Sequence, residues 1–93
     1  MSAVKKRERL GVIHDILQTV RDHQNSIKPT PLLRYSNLSS QRFNEYLSEL
    51  LEKGLLKELE DRKGRKHITL TDKGFKYLER YQVIVGFIDE FEL

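Results

Sequence analysis

The stretch Leu38-Ser39-Ser40-Gln41-Arg42-Phe43-Asn44-Glu45-Tyr46-Leu47-Ser48-Glu49-Leu50-Leu51-Glu52-Lys53-Gly54 decides the fold. It holds a start signal, one apolar face and a stop signal, and so reads as a complete helix. Ser39 or Ser40 offers a hydroxyl to the unpaired N–H groups of the first turn. Phe43, Tyr46, Leu47, Leu50 and Leu51 recur at intervals of three and four, which collects them on one side. Gly54 after Lys53 suits the C′ position, where left-handed backbone carries no side-chain penalty. The other side is polar, with Gln41, Arg42, Glu45, Ser48, Glu49 and Glu52 outward and Asn44 on the boundary.

Upstream, Thr30-Pro31 reads as another helix start, a capping hydroxyl followed by proline at the first helical position. That helix is short, Pro31 to about Ser36, because Ser36-Asn37 reads as a turn. Leu38 precedes the capping serine, where it can pack down as a hydrophobic staple. Two helices joined by so short a turn form a helix-turn-helix, with the second as the reading helix. Ahead of the pair, a helix from about Val4 to His23 carries the stripe Leu10, Ile13, Ile16, Leu17 and Val20, with Asn25 as a stop. Ser26-Ile27-Lys28-Pro29 is expected to be a brief strand or an extended connector, since Pro29 disfavours helical geometry at Lys28.

Downstream, Leu55–Glu60 and His67–Leu70 are strand-like, separated by the polar turn Asp61-Arg62-Lys63-Gly64-Arg65-Lys66. Ile68 and Leu70 alternate with polar neighbours as in a half-buried strand. A hairpin directly behind a helix-turn-helix is a wing, and four cations at its tip lie where a duplex backbone would pass. Thr71 caps a last helix opening with Asp72, whose charge favours that end. In it Tyr77, Tyr81, Ile84, Ile88 and Phe91 repeat at four and three, a heptad-like seam widened by Leu78 and Val85, with Val83 and Phe87 off it. So much apolar surface exceeds what a small domain with its own core can cover, which points to an isologous dimer; the alternative is a helix folded back on the domain. The expected fold is mainly α with a small β-hairpin: a winged helix-turn-helix over 1–71 with a basic N-terminal arm, then a C-terminal dimerisation helix over 72–93.

Ninety-three residues make one domain with one modest core. An apolar share of 38% against a charged share of 33% leaves it short of core-forming residues, a shortage that a partner chain would relieve. No cysteine is present for disulfides or thiolate metal sites. The basic first ten residues lead into no apolar h-region, and no uninterrupted apolar run exceeds Val83-Ile84-Val85. Secretion and membrane spanning are therefore not expected; the expected place is the cytoplasm, at the nucleoid if DNA is bound.

The net charge of +3 is unevenly spread. Residues 1–10 set Lys5, Lys6, Arg7 and Arg9 against Glu8, and residues 61–66 set Arg62, Lys63, Arg65 and Lys66 against Asp61, a local +3 each. Residues 82–93 hold only Asp89, Glu90 and Glu92, a local −3. Such segregation suggests one face for an anionic partner and one end kept from it, although charge runs are commonly just solvated surface. Catalysis finds no support. His14, His23 and His67 share no metal-ligand spacing. Lys63-Gly64-Arg65 is no phosphate-cradling loop, and no serine sits in a nucleophile motif. Neither an enzyme nor a cofactor, metal or small-molecule substrate is expected.

Two blocks carry a resemblance. One is Tyr35-Ser36-Asn37-Leu38-Ser39 through Glu45-Tyr46-Leu47, Leu50 and Leu51 to Lys53-Gly54-Leu55-Leu56; the other is Leu70-Thr71-Asp72-Lys73-Gly74 with Phe75 and Leu78. From about Leu10 to Leu78 the chain resembles small archaeal winged-helix DNA-binding proteins whose C-terminal helix pairs as an antiparallel coiled coil. The second block is widespread among winged helices and specifies the fold more than the family. The resemblance implies that Gln41, Arg42, Asn44, Glu45 and Ser48 face a duplex and that the helix from Tyr77 to Phe91 dimerises; this tail is more acidic and more apolar than the family's.

From Ser40 to Lys53 the reading helix carries Arg42 and Lys53 against Glu45, Glu49 and Glu52, a net −1, whereas phosphate binding prefers the opposite sign. Only its N-terminal part, Ser40 to Glu45, suits a groove. There Arg42 can meet guanine or a phosphate, and Gln41 and Asn44 can meet adenine; each is otherwise an ordinary solvated residue. Arg62, Lys63, Arg65 and Lys66, with the N-terminal arm, are expected on phosphates. Helix 39–53 in the major groove and wing 61–66 on the backbone would make a dimeric double-stranded DNA-binding protein, a transcription regulator or an architectural protein. The dimer would pair through Tyr77, Tyr81, Ile84, Val85, Ile88 and Phe91. A winged helix used for protein contact, with its glutamate-lined helix on a basic partner, is the alternative. An RNA-associated module is a third reading, without an aromatic stacking platform to support it.

Overall fold

The structure is a computed structural model that describes residues 2–93, with side chains from Glu8 onward. Lys5, Lys6 and Arg7 of the expected basic arm lie outside the residues whose side chains are described. The elements run α1 (Ser2–Asp22), α2 (Pro29–Ser36), α3 (Ser40–Glu52), β1 (Leu56–Glu60), β2 (Lys66–Leu70) and α4 (Asp72–Glu90). This is the mainly helical winged architecture that the sequence predicts.

The core is built from the periodic faces. Ile13, Ile16, Leu17 and Val20 of α1 are buried with Leu32 of α2, Phe43 and Leu50 of α3, and Leu78 of α4, while Leu10 is only partly buried. Helix α1 closes through left-handed Gln24 and Asn25, and the Asn25 side chain then accepts the Leu70 N–H at 2.7 Å. The connector contributes one residue to the sheet. Ile27 bridges Ile68 on the edge away from β1, with the Ile68 N–H donating to the Ile27 carbonyl at 2.7 Å.

Helix α2 begins two residues before the expected Pro31. Its N-cap is Lys28, extended at ψ 152 as a residue before proline must be, and Pro29 enters the first turn. Thr30 therefore lies inside the helix and is not a cap; the signal that favours Pro31 is met earlier by Pro29. Left-handed Asn37 (φ 58) closes the helix. The Ser39 hydroxyl caps α3 by accepting the Arg42 N–H at 3.2 Å, and Leu38 ahead of it packs on the core.

The far end of α3 is a Schellman closure: Gly54 (φ 75) donates its N–H to the Leu51 carbonyl at 3.1 Å, and Leu55 donates to Leu50 at 2.9 Å. Both Leu50 and Leu55 are buried, which supplies the accompanying apolar contact. Strands β1 and β2 pair antiparallel from Leu56↔Leu70 to Glu60↔Lys66, so Lys66 belongs to the strand rather than to the turn. Expected to be half-buried, β2 is covered over Ile68, Thr69 and Leu70 alike. It is the inner strand, flanked by β1 and Ile27 and packed by α1, α2 and α4.

Candidate functional site

Six polar residues of α3, Ser40, Gln41, Arg42, Asn44, Glu45 and Ser48, are all exposed, while Phe43 and Leu50 on the opposite face are buried. The cap at Ser39 and the closure at Gly54 fix both ends of this surface, so core packing presents it as one rigid unit. Glu49 lies at its edge and is partly buried. Its carboxylate accepts hydrogen bonds from Arg9 of α1 and from Lys53, the latter an ion pair at 2.9 Å one turn on. The Arg9 hydrogen bond, then that of Lys53, holds the Glu49 carboxyl down at about 2. Arg9 also lies 5.9 Å from the Tyr46 ring centroid, within cation–π range. Arg9, Arg42, Glu45, Tyr46 and Glu49 line one open notch of about 290 Å³. With Arg9 brought to it, the stretch from Ser40 to Lys53 has three cations against three glutamates, and the net −1 of its own sequence is cancelled.

At the wing, Asp61 organises the turn. Its Oδ1 accepts the N–H groups of Lys63 at 2.8 Å and Arg65 at 2.9 Å, and Gly64 (φ 76) takes the left-handed position. The Arg65 N–H, ahead of that of Lys63 and the Arg65 side chain, holds the Asp61 carboxyl at about 2. The four wing cations are all exposed, but they are not equivalent. Arg65 pairs with Asp61 at 2.9 Å and Lys66 with Glu58 at 3.6 Å, whereas Arg62 and Lys63 have no acidic partner among the described residues.

A clamp joins α3, the wing and α4. The Thr71 hydroxyl donates to the Gly54 carbonyl and accepts the Gly74 N–H at 3.1 Å, and Lys73 Nζ donates to the Lys53 carbonyl at 2.7 Å. Leucine-threonine-x-lysine-glycine is therefore the device that holds the C-terminal end of α3 against α4. Its threonine reads as a cap from sequence; its lysine contact, like the Arg9–Glu49 pair forty residues apart, has no local signal. The i,i+4 spacing of Glu49 and Lys53 is a signal that sequence reasoning left unused.

The seam residues of α4 divide into two sets. Tyr77 donates its hydroxyl to the Leu10 carbonyl at 2.8 Å, and burial pushes that hydroxyl up to about 12. Tyr81 stacks on His14 with ring centroids 4.2 Å apart. Both are thus engaged by α1 of the same chain. Ile84 and Phe91 are exposed, Val85 and Ile88 only partly covered, and off-seam Val83 and Phe87 are also exposed. Leu10, Tyr81, Ile84, Val85 and Ile88 line an open cleft of about 420 Å³, rimmed by Glu8 and Asp89. Among the described residues no three His, Cys, Asp or Glu side chains converge as a metal site, and no helix is long and apolar enough to cross a membrane.

A family model described as winged helix-turn-helix matches residues 6–87. No curated protein matches the chain by sequence. Among solved structures, the PcaV transcriptional regulator of Streptomyces coelicolor superposes with TM-score 0.72 at 21% identity, over 86% of this chain and 60% of that one. Sso10a-2, a DNA-binding protein of Sulfolobus solfataricus, gives 0.71 at 18% identity over 89% and 83%. A MarR variant of E. coli complexed with operator DNA gives 0.68 at 21% identity over 80% and 54%. The chain thus spans less than two thirds of the PcaV and MarR chains.

Proposed function

The chain belongs to the winged helix-turn-helix family, and from that premise we propose that it binds double-stranded DNA as a homodimer, as a transcription regulator or a local architectural protein. The observation that carries this reading is α3, which buries Phe43 and Leu50 and leaves Ser40, Gln41, Arg42, Asn44, Glu45 and Ser48 exposed as one surface. The likeness in fold to a transcriptional regulator, to a DNA-binding protein and to an operator-bound protein supports it.

In this reading the N-terminal half of α3 enters the major groove, with Arg42 toward guanine or phosphate and Gln41 and Asn44 toward adenine. Arg62 and Lys63, free of acidic partners among the described residues, lead the wing onto the phosphate backbone, and Arg65 and Lys66 follow. Two chains pair through the C-terminal half of α4 and the Phe91 that closes it, where Ile84, Val85, Ile88 and Phe91 need cover. Tyr77 and Tyr81 buttress that half from behind through α1.

The test is a fluorescence-anisotropy titration of a random duplex at two salt concentrations. Binding that weakens with salt, at a slope of about 0.9 per phosphate contacted, is the expected result. No binding at low salt would refute backbone contact and turn attention to a protein partner for the exposed Glu45 and Glu52. For the dimer, Ile84→Lys with Ile88→Lys is expected to sediment as a monomer; sedimentation like wild type would remove the seam.

A further inference from the structure

Three charged groups at the edge of α3 form a connected set that the groove reading leaves without a task. Arg9 reaches across from α1 to Glu49, Lys53 meets the same carboxylate at 2.9 Å, and Arg9 shares its notch with Arg42 and Glu45. The core has little need of this pair. Phe43 and Leu50 already anchor α3 within the same cluster as Ile13, Ile16 and Leu17 of α1, and Arg9 remains 42% exposed. What the pair does change is charge. The notch beside Arg42 thus holds a guanidinium already engaged and two carboxylates, Glu45 and Glu49.

We infer that Glu49 withholds Arg9 from the DNA backbone and so lowers the affinity for duplex DNA of any sequence, an inference that rests on α3 being the groove helix. A phosphate contact is made alike on a preferred and on a random duplex, and non-specific binding depends almost wholly on such contacts. A mask on Arg9 therefore weakens binding about equally on every sequence, and a random duplex reads it without interference from base contacts. Glu49 is a competitor for phosphate built into the reading helix itself.

The experiment titrates a random duplex of about 20 base pairs with wild type, Glu49→Gln, Arg9→Ala and the double variant, from 50 to 200 mM salt. Glutamine keeps the size and an acceptor oxygen but removes the charge. Glu49→Gln is expected to bind more tightly at 50 mM and to show a salt slope steeper by about 0.9, which adds a factor of about 3.5 to the affinity lost across that range. Arg9→Ala is expected to keep the wild-type slope, because its cation is already masked, and the double variant to lose the gain.

An unchanged slope for Glu49→Gln, with its melting curve confirming a folded protein, overturns the mask. A double variant that retains the whole gain overturns the role of Arg9. Should Glu49→Gln fail to fold, Arg9→Ala decides alone: a slope flatter than wild type means that Arg9 already sits on phosphate and is not withheld. If wild type and every variant fail to bind at low salt, the DNA reading falls and the mask falls with it. If wild type binds and the variants match it, only the mask falls.

Discussion

Helix α4 carries two glycines whose replacement by alanine should move stability in opposite directions. A Cβ built on Gly74 would lie 2.3 Å from the Leu55 carbonyl oxygen and 2.9 Å from Leu70 Cδ2, about an ångström inside ordinary contact with the former. That carbonyl has no freedom to retreat. It accepts the Thr71 N–H at 3.2 Å, and Leu55 donates its own N–H into the closure of α3. Overpacking of this kind costs about 1–3 kcal/mol, occasionally more. The better helix propensity of alanine returns at most about 1 kcal/mol. A net loss of about 1–2 kcal/mol is expected for Gly74→Ala, a fall in Tm of roughly 5–10 °C for a domain of this size. A Cβ on Gly86, in contrast, meets nothing within 4 Å among the described residues. Gly86→Ala should then add about 0.5–1 kcal/mol and raise Tm by roughly 4 °C. Circular-dichroism melts at one fixed protein concentration compare the two, since a dimer's Tm moves with concentration. A Gly74→Ala melt at or above wild type would refute the reasoning, because the clamp between α3, the wing and α4 would then have slack that its distances deny.

Tyr77→Phe should cost about 0.5–1.5 kcal/mol through the lost bond to the Leu10 carbonyl. In a spectrophotometric titration it should also abolish one late phenol ionisation near 12. Because that value is raised, the stability it represents is complete below pH 10 and is lost as pH rises toward 12. Glu49 has the opposite sign: its depressed carboxyl contributes above about 4.5, and the contribution is lost as pH falls toward about 2. On the scale of a partly exposed pair this is at most about 1 kcal/mol, so Glu49→Gln should melt slightly lower at pH 7 and converge with wild type in acid. In the wing, Arg62→Ala with Lys63→Ala should flatten the salt dependence of DNA binding more than Arg65→Ala with Lys66→Ala, since the latter two cations begin in ion pairs. Equal slopes for the two double variants would show that those pairs open freely.

Where one residue and its near neighbours decide an outcome, the sequence was legible. Ser39 and Gly54 bracket α3 as their chemistry requires, and Thr71 opens α4. Helix α2 starts two residues before the position that Thr30-Pro31 predicts because two prolines compete for the first turn, and extended Lys28 lets the earlier one win. Contacts that close over long separations left no trace in local pattern. Asn25 reads as a helix stop, yet its side chain also fills a place in the ladder beside Leu70. Arg9 reads as one more basic residue of an arm, yet it is spent on a glutamate forty positions away. That pair revises the electrostatic objection to α3 as a groove helix. The acidity counted along the helix belongs in part to a carboxylate that already holds two cations, and the helix that a duplex would meet is neutral at that edge rather than repulsive. Net charge along a segment is thus a poor guide to the field at a surface when the fold imports a counter-ion from elsewhere in the chain. The same logic separates the wing cations, where a count of four conceals two that are engaged and two that are free among the described residues.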